Sequence, residues 1–170
     1  MKPLIPGILI FIVCGIAARI TVRPSAVPLF KTIIVHRFAN SSGTAQSPEY
    51  IQSFCDGMRD ELEKLNLAGQ VVEEGVTVNA ADASDSLVIE GKFTGYASGG
   101  VLFPQTMGIE IDIYRASDDA LVKSFTTTIA HRPTPLTSDK SQGAWAGGLG
   151  SRFIEQRLKG VSLQAGGSAN

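Results

Sequence analysis

Two histidines, two cysteines and one tryptophan in 170 residues leave little material for metal or nucleophilic chemistry. His36 and His131 have no Cys, His or acidic neighbour at a metal-ligand spacing, so no metal site is expected. Cys14 lies in an amino-terminal apolar segment and Cys55 in a helical apolar stripe, which excludes an obvious internal disulfide. Cys55 reads as a core thiol, since a free cysteine packs as a small hydrophobe. A nucleophile site joining it to His36 and a carboxylate has no support in the spacing. Charge of one sign is missing too: 15 Lys and Arg face 16 Asp and Glu, for a net charge of -1 and a pI of about 6.1. Nucleic-acid modules usually carry a basic patch or stripe, so no nucleic-acid partner is expected.

Long hydrophobic runs are also lacking. A spanning helix needs about 20 apolar residues, whereas the run after Lys2 carries Pro6 and Gly7 and meets Arg19. A single positive charge, a short apolar stretch and small residues at Gly15, Ala17 and Ala18 match a secretory signal, with cleavage after Ala17 or Ala18. An uncleaved anchor and lipidation at Cys14 are the alternatives. A lipidated cysteine should follow a small residue, and Val13 departs from that pattern. Each outcome exports the domain, with residues 1–18 as signal or anchor, 19–30 as a proline-containing linker, 31–160 as one domain and 161–170 as a frayed tail. The membrane enters only through the first segment.

What is present is strand chemistry. Ser86–Thr94, Gly108–Tyr114 and Leu121–Thr128 alternate or are rich in branched and aromatic residues, predicting a three-stranded antiparallel meander. Leu87, Ile89, Phe93, Ile109, Ile111, Ile113, Leu121 and Phe125 are expected on one face. Glu90, Lys92, Thr94, Tyr96, Glu110, Asp112, Tyr114, Ser124 and Thr126 are expected on the other. Asp118 and Asp119 suit the turn between the last two strands. Lys31–Phe38 is apolar at both parities in its first half, as a strand with neighbours on both sides reads. Gln70–Glu74 is a short strand, with a helical turn around Ala80–Ala83.

Ser47 and Pro48 supply a cap and a first helical residue. Behind them Ile51, Phe54, Cys55, Met58, Leu62 and Leu65 form one apolar stripe, and Gly69 is the expected left-handed C-terminal cap. Ser138 or Asp139 caps a last helix with Trp145, Leu149, Phe153, Ile154 and Leu158 on its apolar face. Gly143, Gly147, Gly148 and Gly150 weaken its first half by roughly 1 kcal/mol each, leaving Ser151–Lys159 as the firm part. The first strand, first helix and second strand can form one right-handed crossover unit. The fold class is α/β of the α+β type: two layers, a mixed, mainly antiparallel sheet of about five strands, and two helices on one face.

The run Ala83-Ser84-Asp85-Ser86-Leu87-Val88-Ile89-Glu90-Gly91-Lys92-Phe93, followed by Ile111-Asp112-Ile113-Tyr114, an acidic turn and Leu121-Val122, resembles an uncharacterised family of exported bacterial envelope domains often found on lipoproteins. More distantly, the element order is similar to the amino-terminal domain of the Tol propeller protein and to the curli-secretion channel lipoprotein. The resemblance covers about Lys31–Lys159. It implies scaffolding, assembly or partner binding at the envelope, with no catalytic residue and no cofactor.

Functional content therefore rests on surfaces. Tyr96 and Tyr114 among charges on the open sheet face, with the loop residues Val101, Leu102 and Phe103, form the candidate partner surface for envelope proteins or for self-association. The leading expectation is an exported, non-catalytic protein-binding or assembly module. The alternative is a small-ligand binder or hydrolase using Gly147-Gly148-Leu149-Gly150-Ser151 before the last helix, where helix-terminal amides hold a phosphate. That reading requires Gly148, Gly150 and His131 to converge; the lysine and full glycine spacing of a P-loop are absent.

Overall fold

A computed structural model describes residues 27–41, 46–97, 105–131, 138–159 and 161. In chain order the elements are β1 (Phe30–Val35), β2 (Ala39–Asn40), α1 (Pro48–Lys64), β3 (Ala68–Glu73), a 3-10 turn (Ala83–Asp85), β4 (Leu87–Ala97), β5 (Gln105–Arg115), β6 (Leu121–His131) and α2 (Asp139–Leu158). The sheet runs β3-β1-β4-β5-β6, with the two-residue β2 beside β4. β1 pairs in parallel with β3 and β4, while β4, β5 and β6 form the antiparallel meander. This is the expected two-layer mixed sheet with two helices, one short strand richer than foreseen.

α1 begins where its cap chemistry puts it. The Ser47 hydroxyl accepts from the Tyr50 amide at 3.1 Å, and Pro48 follows. Such a cap contributes about 1 kcal/mol. Phe54, Met58 and Leu62 are fully buried beneath it, together with Leu87, Ile89, Phe93, Ile109, Ile111 and Ile113 from the meander. Phe38, between β1 and β2, completes an aromatic cluster: its ring lies 4.9 Å from Phe54 and 5.9 Å from Phe93. Gly91 makes that possible, because a Cβ there would meet the Phe38 ring.

Two expectations about glycine are corrected. Gly69 is a strand residue in β3; the left-handed position after α1 is Asn66, at φ 52°. Asparagine tolerates that conformation better than most residues. The glycines of the last helix lie inside it and do not interrupt it. α2 spans all twenty residues from a Ser138 cap, and its buried face is Gly143, Ala146, Gly147, Gly150, Ser151, Ile154 and Leu158. Trp145, expected on that face, is 44% exposed. A Cβ on Gly143 would stand 3.0 Å from the Ser53 side chain, one on Gly147 would be 2.8 Å from the Met58 amide, and one on Gly57 of α1 would overlap the Ala144 backbone. The helices thus pack backbone against backbone. The Ser151 hydroxyl closes the contact, its single proton shared between the Met58 carbonyl at 2.8 Å and, within its own helix, the Gly147 carbonyl at 3.1 Å.

Packing outweighs propensity here, and the two can be separated. Gly147→Ala is expected to destabilise by about 1–3 kcal/mol through overpacking. At Gly148 a Cβ meets nothing nearer than 3.9 Å, so Gly148→Ala should raise stability by up to about 1 kcal/mol through helix propensity. Urea midpoints of the two variants check this; equal shifts would dismiss the close-packing account.

Candidate functional site

Both bulges of the meander change which side chains share a face. The β4–β5 register slips between Phe93 and Gly95, leaving Thr94 extra, and the β5–β6 register slips at Ile113/Tyr114, leaving Val122 extra. One extra residue reverses the alternation beyond it. Tyr96 consequently sits opposite buried Met107 and belongs to the helix side, not to the open face expected of it. Leu121 pairs with Tyr114 on the open face and is 57% exposed, while Val122 packs against the core in its place. Tyr114 stays on the open face. Val101, Leu102 and Phe103 lie outside the described residues, as does the side chain of His131, whose backbone pairs opposite Gln105.

The open face carries a feature that the sequence analysis missed. Ile34 lies opposite Val72 on one side and Val88 on the other; Val88 lies opposite Tyr114, and Tyr114 opposite Leu121. Five apolar or aromatic side chains therefore form one lateral row across all five main strands. Ile34 and Val88 are buried yet stand apart from the core cluster. The signal was in β1, whose apolar residues at both parities mark two occupied faces. Beside the row runs a charged band. Lys92 Nζ meets Glu110 Oε1 at 2.8 Å, His36 Nδ1 meets Glu90 Oε1 at 3.0 Å, and Asp112 lies opposite Glu90. The hydrogen bond to Glu110 pushes the Lys92 ammonium pKa up, and partial desolvation followed by Asp112, Glu90 and Glu110 pushes the Tyr114 phenol up. Both groups keep their ordinary protonation at neutral pH.

Tyr96 instead borders a pocket of about 270 Å³ where both helices begin, with Tyr50, Gln105, Asp139 and Trp145 on its walls. Gln105 donates to the Tyr96 hydroxyl. The Ser47 hydroxyl donates to Asp139 Oδ2 at 2.7 Å, tying the start of α1 to the start of α2. The glycine-based alternative is not assembled: Gly150 faces Met58 and Phe54, Gly148 faces the Glu61 side of α1, and neither lines this pocket. Among the described residues no group of three His, Cys, Asp or Glu side chains is placed to hold a metal ion, and Cys55 is a buried free thiol whose pKa burial raises.

Burial, reinforced by Asp139 and Tyr96, holds the Tyr50 phenol protonated well above the usual tyrosine range. The unfolded chain loses that proton from about pH 10. The stabilisation is therefore complete below that pH and declines as pH rises past it. The urea midpoint is expected to fall between pH 9.5 and pH 11, values of roughly that size following from the reference pKa, and to fall less in Tyr50→Phe. Identical slopes would remove Tyr50 as a contributor.

No protein-family model matches the chain, and no curated protein does either. Among solved structures it is similar to a PelC dodecamer from Paraburkholderia phytofirmans, with 17% identity over 84% of this chain and 92% of that one and a TM-score of 0.51. Protein XCC0632 from Xanthomonas campestris, of the DUF330 family, has 14% identity over 79% and 88%, with a TM-score of 0.53. A lipoprotein from Neisseria meningitidis has 15% identity over 76% and 99%, with a TM-score of 0.44. At these identities the first two likenesses establish a shared fold.

Proposed function

We propose that the protein is an exported envelope module that acts without catalysis, by binding protein through its open sheet face. The observation that carries this reading is the lateral row Val72, Ile34, Val88, Tyr114 and Leu121 on a face that no described helix covers, in which buried Ile34 and Val88 are flanked by the more accessible Val72, Tyr114 and Leu121. An apolar strip rimmed by polar groups is what a protein contact requires. Glu90, Glu110 and Asp112 outnumber Lys92 beside it, so the partner surface that fits is apolar with a basic rim. Export is supported by the signal-like first segment. No helix among the described residues is long and apolar enough to cross a membrane. The fold shared with PelC, itself a dodecamer, is compatible with an assembling protein.

The test places a photo-crosslinking residue at position 114 of the full chain in intact cells, with position 140 at the start of α2 as the control. Specific protein adducts are expected at 114 and not at 140. The absence of any adduct at 114, with the protein recovered from the envelope fraction, would overturn the open-face reading.

A further inference from the structure

The two ends of the sheet are not alike. β3 is six residues long, ends in Glu73 and is followed by Glu74; Arg59 holds the Glu73 carboxylate at 2.8 Å. Brevity and charge are the ordinary protections of an edge strand. β6 has neither. It runs for eleven residues, and among the described residues nothing pairs with its outer edge. From Ser124 to Ala130 it contains no charge and no proline. A row of unpaired amides and carbonyls on such a strand is a template for another strand.

The side chains specify which strand. Phe125, Thr127 and Ile129 lie opposite Ile111, Ile109 and Met107, on the helix side; Ser124, Thr126 and Thr128 lie opposite Asp112, Glu110 and Gly108, on the open face. Laid antiparallel against itself with Thr127 at the centre, β6 matches its own sequence. Phe125 faces the second copy's Ile129 on one side of the sheet, and Thr126 faces the second copy's Thr128 on the other. Aromatic with β-branched and threonine with threonine are favourable cross-strand pairs. The two-fold axis of such a pair stands perpendicular to the sheet, so both α2 helices come to the same side. There a groove of about 350 Å³ runs beside the edge, lined by Phe125, Phe153 and Arg157, with the Arg157 guanidinium 5.7 Å from the Phe125 ring centroid.

We propose that β6 is a strand-addition site whose occupant is β6 of a second copy of this chain, paired antiparallel about Thr127. The proposal extends protein binding to a second surface and names the partner. It stands or falls apart from the open-face reading, because adducts at position 114 do not report on β6.

The full chain in detergent, measured by light scattering, is expected to hold at least two copies. Thr126→Lys with Thr128→Lys sets lysine against lysine across the axis and should halve the mass. Thr126→Lys with Thr128→Glu sets lysine against glutamate and should restore it. In a Cys14→Ser background, Thr127→Cys should form a disulfide-linked dimer on oxidation, since directly opposed Cα atoms in an antiparallel pair lie about 4.5–5.5 Å apart. Thr126→Cys, displaced from the axis, should not. A wild-type chain that is monomeric throughout, or a folded double-lysine variant of unchanged mass, overturns the proposal. If the double-lysine variant does not fold, the cysteine pair decides: no crosslink at 127, or crosslinks only to a different protein, overturns it.

Discussion

The close approach of α1 and α2 is the constraint on which the rest of the structure depends. A sheet of five main strands offers limited width, and two helices share one of its faces. They fit because Gly57, Gly143 and Gly147 remove the side chains that would hold the axes apart. The gain comes as backbone-to-backbone contact and the buried Ser151 hydrogen bond rather than as large apolar area. Packed helices stand about 8–10 Å apart depending on the side chains between them, and small residues permit the tighter end of that range. The larger side chains beneath, Phe54, Met58 and Leu62, then fill the space above β4 and β5.

Periodic features were legible from the sequence and irregular ones were not. The α1 stripe, its Ser47 cap and the three meander strands repeat the same local rule over several residues. Their burial follows as expected, with Ile51, Phe54, Cys55, Met58 and Leu62 all buried. The misplacements of Tyr96 and Leu121 each trace to one extra residue, Thr94 or Val122, and alternation carries no mark of a bulge until a partner strand fixes the register. In α2 the pattern was visible but was weighed by the wrong principle. Gly143, Gly147, Gly150 and Ser151 recur at helical spacing, yet intrinsic propensity assigns glycine a cost and says nothing of a neighbouring helix that requires its smallness. Gly69 failed as a cap for a related reason: Asn66 reaches the left-handed conformation three residues earlier.

The candidate surface was legible in part. Tyr114 and its charged surroundings follow from alternation alone. The row that gives Tyr114 its setting requires the order of strands in the sheet, since Val72, Ile34 and Val88 come from three separate segments. The same holds for the pocket beside Tyr96, whose walls come from both helix starts and two strands. Sequence patterns report what a segment presents to a neighbour; they do not report which neighbour is there.

The hydroxyl of Ser47 serves two masters, accepting from the amide of Tyr50 and donating to Asp139, a residue 92 positions further along the chain. The Ser151 bond to Met58 spans a similar separation. Among the described elements α2 follows every strand in chain order, so α1 waits for its companion while the strands are already made. Contacts of such long sequence separation are slow to form. During that interval the apolar side of the sheet has only half its roof, and synthesis in chain order includes a period of exposure that ends when α2 arrives.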